Sequence, residues 1–171
     1  MKGTAELFAA IDRVVAHHPG ARFVLAGGLP DHPRGERRWR ERFEREASDP
    51  ARAATTFAGW LGPEALARAH DDAAILVAPS WHETYGLAVA EAMARGLAVV
   101  ASDAGALPER VTHGVDGLLV PPRDPAALAD AIGALLDDPA RLARMRAAAR
   151  RHHRASPAPF LDAYAEARDG A

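Results

Sequence analysis

The chain contains no cysteine, which excludes a disulfide framework, a thiolate nucleophile and a cysteine-bound zinc. Lysine is nearly missing as well: Lys2 is the only one, and every other basic residue is arginine. Charge of neither sign dominates. Lys+Arg at 21 stand against Asp+Glu at 23, so no basic excess points to nucleic acid or to an anionic membrane as partner. No apolar run approaches the roughly 18 residues of a membrane span. No apolar signal core follows Met1-Lys2-Gly3-Thr4, and the expectation is a cytoplasmic protein without a transmembrane segment.

What is present is enough for one domain over residues 1–171 with a real core, since 49% of the composition is apolar. Alanine makes up roughly a quarter of the chain. A GC-rich coding sequence accounts for both the alanine and the arginine bias without any function. Ala-rich helices form readily, but alanine buries little area, so the core must rest on Val, Leu, Ile and aromatic positions.

Short apolar runs alternate with helix-type segments. Leu7, Phe8, Ile11, Val14 and Val15 recur at helical spacing and predict an amphipathic helix from Thr4 to His17. Arg22-Phe23-Val24-Leu25-Ala26, stopped by Gly27-Gly28, reads as a buried strand. Pro30 to Arg38 reads as a long polar loop, and Glu36 to Glu46 as a surface helix whose inner stripe is Trp39 and Phe43. Further strands are expected at Thr55–Ala58, Ala74–Ala78, Ala98–Ser102 and Leu118–Val120, with helices at Glu64–Ala69 and Leu87–Arg95. Asp124-Pro125, Asp138-Pro139 and Ser156-Pro157 each pair an N-cap side chain with proline at the first helical position. Apolar strands alternating with helices predict an α/β fold, a doubly wound parallel sheet covered on both faces.

The run from Ala78 to Ala94 joins a buried strand, a polar loop, Gly86 and a helix apolar almost all round. Ligands of such sheets bind beyond the carboxyl ends of the strands, where this loop lies. The helix start after Gly86 offers free backbone N–H groups and a positive dipole end, suited to phosphate. Glu91 interrupts the apolar helix and needs a partner. That partner is either Arg95, four residues on, or the vicinal diol of a ligand such as a nucleotide ribose.

Glu83 and Glu91 stand eight positions apart in Pro79-Ser80-x-x-Glu83-x-Tyr85-Gly86-Leu87…Glu91-Ala92-Met93-Ala94-x-Gly96. This resembles the signature of the family 4 retaining glycosyltransferases. The similarity continues through Val99 to Glu109 and Asp116 to Pro125, and includes Phe23–Gly27 and Phe57–Leu61, so it covers roughly residues 2 to 150. The resemblance implies the donor-binding, C-terminal half of a GT-B fold, two Rossmann-like domains with the active site between them. It implies transfer of a sugar from a nucleoside-diphosphate donor to an acceptor hydroxyl with retention, without a metal cofactor.

Carried over by position, Glu83 resembles the catalytic carboxylate that faces the donor sugar and orients it. Glu91 resembles the one that grips the ribose. Tyr85, Gly86 and Leu87 match the loop that holds the diphosphate, with His82 beside it among the donor-binding residues. Gly59-Trp60 matches the turn beside the base. Lys2-Gly3 fits the second half of a motif whose Arg and Lys neutralise the departing diphosphate.

Departures from the pattern are also implied. Met1 stands where the family's first strand should just have ended, and the Gly-Arg that closes it is absent. So is the N-terminal acceptor domain, onto which the helix of residues 155–171, with Phe160 and Tyr164, is expected to fold. Loss of that central strand leaves the strands at Phe23 and Ile75 with unpaired inner edges or forces them to pair directly. The expectation is a fragment inactive alone; the alternatives are a nucleotide-sugar-binding subunit completed by another chain, or a hydrolase or epimerase acting on the donor. Ala106 replaces the second glycine of a usual Gly-Gly. His82-Glu83 has no second histidine at zinc-helix spacing, so no metal site is expected. His17-His18, His152-His153 and the arginines of 141–154 read as solvated. Base, sugar and acceptor are left open.

Overall fold

A computed structural model describes residues 2–27 and 33–155. Five strands and eight helices alternate among them: α1 (Thr4–His17), β1 (Phe23–Ala26), α2 (Pro33–Glu46), α3 (Asp49–Ala54), β2 (Thr55–Gly59), α4 (Pro63–Asp72), β3 (Ile75–Ala78), α5 (Leu87–Ala94), β4 (Ala98–Ser102), α6 (Leu107–Arg110), β5 (Gly117–Val120), α7 (Pro125–Asp137) and α8 (Pro139–Ala155). All strand pairs are parallel, as consecutive strands joined through helices must be.

The strands form two sheets, β1-β2 and β3-β4-β5. In the first, Phe23 lies opposite Thr55, and a register shift after Leu25 brings Ala26 opposite Gly59. In the second, every residue of the central strand β4 is buried. Among the described residues β1 pairs only with β2 and β3 only with β4. Of the two arrangements expected for these strands, the structure takes the one with unpaired edges, and Val24 of β1 is exposed.

Helices cover both faces of β4. Ala98 and Val100 point into a cluster with Ala10 and Val14 of α1 and Leu128, Ile132 and Leu135 of α7. Val99 and Ala101 point the other way, against Val89 and Met93 of α5, Leu107 of α6 and Ala149 of α8. This is the period-2 alternation of a doubly wound sheet. The β1-β2 sheet has its own core, in which Phe8, Ile11 and Val15 of α1 meet Phe43, Ala51 and Ala54. Phe8 and Phe43 stack edge to face with centroids 4.7 Å apart, and Phe43 and Phe57 do so at 5.5 Å. Helix α1 therefore serves two cores at once, Ala10 and Val14 in one and Phe8, Ile11 and Val15 in the other. It joins the two sheets where no strand ladder does.

Helix starts follow the cap chemistry. Asp124 Oδ1 accepts from the Ala127 N–H at 2.9 Å and Asp138 Oδ1 from that of Arg141 at 2.8 Å. The third expected start, Ser156-Pro157, and the segment with Phe160, Leu161 and Tyr164 lie outside the described residues. Helix α3, not expected, is opened in the same way by Ser48, whose Oγ accepts from the Ala51 N–H at 3.3 Å. Helix α2 begins at Pro33 and so takes in two thirds of the expected loop.

Three surface readings need correction. His152 is not simply solvated: its Nδ1 lies 2.6 Å from Oδ2 of Asp116, a buried carboxylate whose other oxygen accepts from the Thr112 N–H. Nor is α8 an undivided solvated arginine face. Arg146 Nε donates to the Gly96 carbonyl at 2.9 Å and Arg150 Nη2 to the Arg95 carbonyl at 3.0 Å, which satisfies the open carbonyl end of α5. His18 lies 3.9 Å from an Asp137 oxygen. Among the described residues no helix is long and apolar enough to cross a membrane.

Candidate functional site

The carboxyl end of β3 runs into the loop of residues 79–86 and then into α5. Gly86, buried, caps α5 in the left-handed region at φ 66°, with no side chain accepting from the first turn. Gly3 caps α1 in nearly the same conformation, φ 64°, again with no side-chain cap. A Cβ at Gly3 would collide with the Pro79 carbonyl oxygen. Glycine is thus what brings the start of α1 against the start of the 79–86 loop. The start of α1 thus packs on the beginning of the loop whose end opens α5, and each helix start has uncapped N–H groups of the kind that favour an anion.

Glu83 is held from several directions. Its carboxylate lies 2.7 Å from Lys2 Nζ, and the nearby backbone N–H groups of Gly86 and Thr84 favour its charged form. Burial pushes its pKa up, but the Lys2 hydrogen bond and charge, with the two backbone donors, outweigh that and leave it below the ordinary glutamate value. Its backbone carbonyl accepts from the Ala106 N–H at 2.8 Å. Gly105, at φ 59°, packs so closely that a Cβ there would run into the Glu83 carbonyl oxygen. Ala106, in place of glycine, sits at φ −79°, ψ −1°, a conformation any residue adopts without strain.

Two arginines brace the same loop. Arg110 Nε donates to the Tyr85 carbonyl at 3.1 Å, and its stem covers Gly86. At the other end, the Arg123 guanidinium stacks 4.2 Å above the Trp81 ring. Arg123 is the one non-glycine residue at positive φ among the described residues, at 64°.

The structure brings together Lys2, Glu83 and Gly86 of the expected site. Tyr85 is 59% exposed, and its ring is separate from the carbonyl that Arg110 holds. His82 is exposed and Leu87 half-buried at the first position of α5. Gly59, at φ 66°, and Trp60, 55% exposed, end β2 in the other sheet.

Glu91 is half-buried, one turn beyond Leu87. It does not pair with Arg95, which instead reaches Asp71 of α4 at 2.9 Å. Glu91 acts on His70 of α4, whose pKa is lowered by burial against the raising effect of the Glu91 carboxylate. Both Glu91 and Arg95 therefore look from α5 towards α4, the helix that follows β2. Open α/β folds place ligands in the crevice beyond the carboxyl ends of their strands.

Sequence reasoning missed Arg110, because it acts on a backbone carbonyl 25 residues away and carries no local pattern. Gly105 was visible only as part of a matched stretch; its position after β4 and before Ala106-Leu107-Pro108 is the signal. Among the described residues no group of three or more His, Cys, Asp or Glu is arranged to hold a metal ion.

Comparison with known proteins adds to this geometry. The family described as "Glycosyl transferases group 1" matches residues 1–138. A glycogen synthase of Mycobacterium tuberculosis is 39% identical over 157 residues, which is 87% of this chain and 34% of that protein. The chain thus spans about a third of that relative's length. Among solved structures, Anabaena HepE in complex with UDP superposes with a TM-score of 0.73 over 89% of this chain and 40% of that one, at 24% identity. The C-terminal domain of a glycosyl transferase group 1 family protein (LpcC) from Francisella tularensis gives 0.73 over 88% of this chain and 76% of that one, also at 24% identity.

Proposed function

The chain belongs to the glycosyl transferases of group 1, and from that premise we propose that it is the donor-binding half of a retaining, family 4 type enzyme, inactive by itself. The reaction is transfer of a sugar from a nucleoside-diphosphate donor to an acceptor hydroxyl. The bond between the anomeric carbon and the diphosphate oxygen breaks, a bond to the acceptor oxygen forms, and the acceptor proton leaves with the diphosphate. The acceptor site lies on another domain. A cytoplasmic location fits this reading.

The observation that carries it is the meeting of Lys2, Glu83 and Gly86 at the uncapped start of α5. With its pKa held below the ordinary range, Glu83 is an anion at neutral pH and accepts hydrogen bonds from the sugar hydroxyls rather than attacking carbon. The N–H groups of α5 after Tyr85-Gly86 and the Lys2 ammonium stabilise the leaving diphosphate, so no metal is needed. Glu91, half-buried on α5 and without a hydrogen-bonding partner among the described residues, takes the ribose diol. The exposed Trp60 ring, after Gly59, lies beside the base. His82 borders the sugar.

Calorimetric titration with UDP, GDP and ADP tests the proposal. One of the three is expected to bind, with affinity unchanged by a metal chelator; the UDP held by Anabaena HepE supports trying uridine first. Failure of all three to bind overturns it. A second reading, a nucleotide-sugar-binding subunit completed by another chain, is favoured by the unpaired edges of β1 and β3. Donor binding together with a defined complex with a second chain supplying a strand would select that reading.

A further inference from the structure

We infer that Arg123 is a positioning residue for Glu83, acting through the ring of Trp81. Arg123 stands in the loop between β5 and α7 with its backbone in the left-handed region, at φ 64°. An arginine there meets the steric cost that glycine escapes, and strain of this kind persists only where the surroundings hold it. In this conformation the guanidinium lies 4.2 Å above the Trp81 ring. Glu6, whose Oε2 is buried without a hydrogen-bonding partner among the described residues, lines the same hollow as Arg123, with Pro79, Ser102 and Pro121 at the ends of β3, β4 and β5. The guanidinium stacks on the indole instead of bonding to that oxygen.

The indole N–H does not fix the ring. Trp81 Nε1 is buried and has no acceptor among the described residues, so the stacked cation is the polar contact that orients it. Trp81 stands two residues before Glu83, at most about 7 Å away along the backbone. The loop is anchored on both sides of Trp81: at Pro79 by the start of α1 at Gly3, and at the Glu83 carbonyl by the Ala106 N–H at 2.8 Å. That last bond fixes the peptide after Glu83. The peptide before it is reached from Trp81 through the exposed His82. Arg123 therefore holds the loop between its two anchors, and with it the angle at which Glu83 leaves the chain. That Glu83 meets a donor sugar rests on the reading given above; the brace does not.

The test uses the full chain with Arg123→Gly and Arg123→Asn, both residues that sit easily at positive φ. Without ligand, amide exchange at Ala106 should quicken by about fivefold or more, the protection of one hydrogen bond, while α7 amides keep their rates. The Trp81 indole N–H resonance, assigned with Trp81→Phe, should shift, and the melting midpoint should stay or rise as the strain is relieved. Arg123→Lys keeps the charge without the planar stack and should fall between. In calorimetry the preference for UDP-glucose over UDP should drop by about fivefold, with the affinity for UDP unchanged; the guanosine and adenosine pairs are run alongside. Unchanged exchange at Ala106 in a folded variant overturns the inference. So does a lower midpoint with faster exchange throughout β5 and α7, which would make Arg123 a general packing residue. If neither variant folds, the unmodified chain decides: Arg123 side-chain protons without an upfield ring-current shift from Trp81 overturn it equally. A loosened Ala106 with an unmoved sugar preference, or no nucleotide bound by the unmodified chain, leaves the brace standing and sinks the donor reading alone.

Discussion

The Lys2 ammonium lies 2.7 Å from the Glu83 carboxylate, across 81 positions of sequence. The cation expected on a leaving diphosphate thus sits on the carboxylate expected on the sugar. Lys2 is largely exposed while Glu83 is mostly buried, so water screens the interaction and its contribution to stability is about 0.5 kcal/mol or less.

Lys2→Ala follows from that pair. Glu83 binds its proton less readily folded than unfolded, so its contribution to stability is present above the ordinary glutamate pKa. It is lost as pH falls through the lowered folded value. Removing Lys2 takes away the largest lowering influence. The Glu83 midpoint, followed by carboxyl NMR, should move upwards, and the stability difference between pH 7 and pH 3 should shrink. An unchanged midpoint would mean that the pair does not form in solution.

Glycine substitutions separate backbone conformation from crowding. Gly86→Ala should cost about 1–2 kcal/mol, the penalty for placing an ordinary residue in the left-handed region, since its Cβ would find Arg110 and Leu107 side-chain atoms at 3.4 and 3.6 Å. Gly105→Ala has the same φ penalty and a collision with the Glu83 backbone. It should cost about 2–5 kcal/mol. Denaturant melts of the two variants, compared directly, check the order; equal losses would show that the 105 loop does not press on Glu83.

Much of the fold was legible because it is written locally. The strands are short runs stopped by glycine, serine or proline, and α7 and α8 begin where Asp precedes Pro. Ser48-Asp49-Pro50 carries a similar signal, and α3 was readable from it. Helix α6, four residues long, completes one turn and shows no periodicity. The side-chain partnerships were less legible, since they join distant segments. Arg95 has Glu91 at helical spacing but takes Asp71, 24 positions away. Local spacing offers a pair worth a few tenths of a kcal/mol, and tertiary placement of α4 beside α5 overrides it. The resemblance identified Glu83 and Lys2 separately; no pattern in the chain says that they touch.

Asp116 gives a test of how α8 is held. Its carboxylate, 1% exposed, is shared between the Thr112 N–H and His152. Asp116→Ala takes the acceptor from that part-buried N–H bond and releases the end of α8, and it should cost about 2–4 kcal/mol. His152→Ala leaves the Thr112 bond in place and should cost about 1 kcal/mol. Hydrogen exchange should speed up in the last turns of α8 in both variants, and in the 112–117 turn only for Asp116→Ala. Equal exchange in the turn would mean that His152, rather than Asp116, organises it.

Glu91 is the sharper test of binding, because structure and proposed role pull apart there. Its carboxylate has no hydrogen-bonding or ion-pair partner among the described residues, and the arginine at helical spacing is engaged by Asp71. Glu91→Ala should therefore change stability by no more than about 0.5 kcal/mol, and the alanine itself favours the helix. If the carboxylate takes the two ribose hydroxyls, its loss should weaken the bound nucleoside diphosphate by at least about tenfold, or 1.4 kcal/mol. Calorimetry on the variant and the unmodified chain, with melting curves on both, reads the two effects independently. Glu91→Gln should recover part of the affinity, because an amide oxygen still accepts one hydroxyl. A variant that melts early and binds normally would make Glu91 a structural residue of the α4–α5 contact, tied to His70, and would move the ribose elsewhere in the crevice.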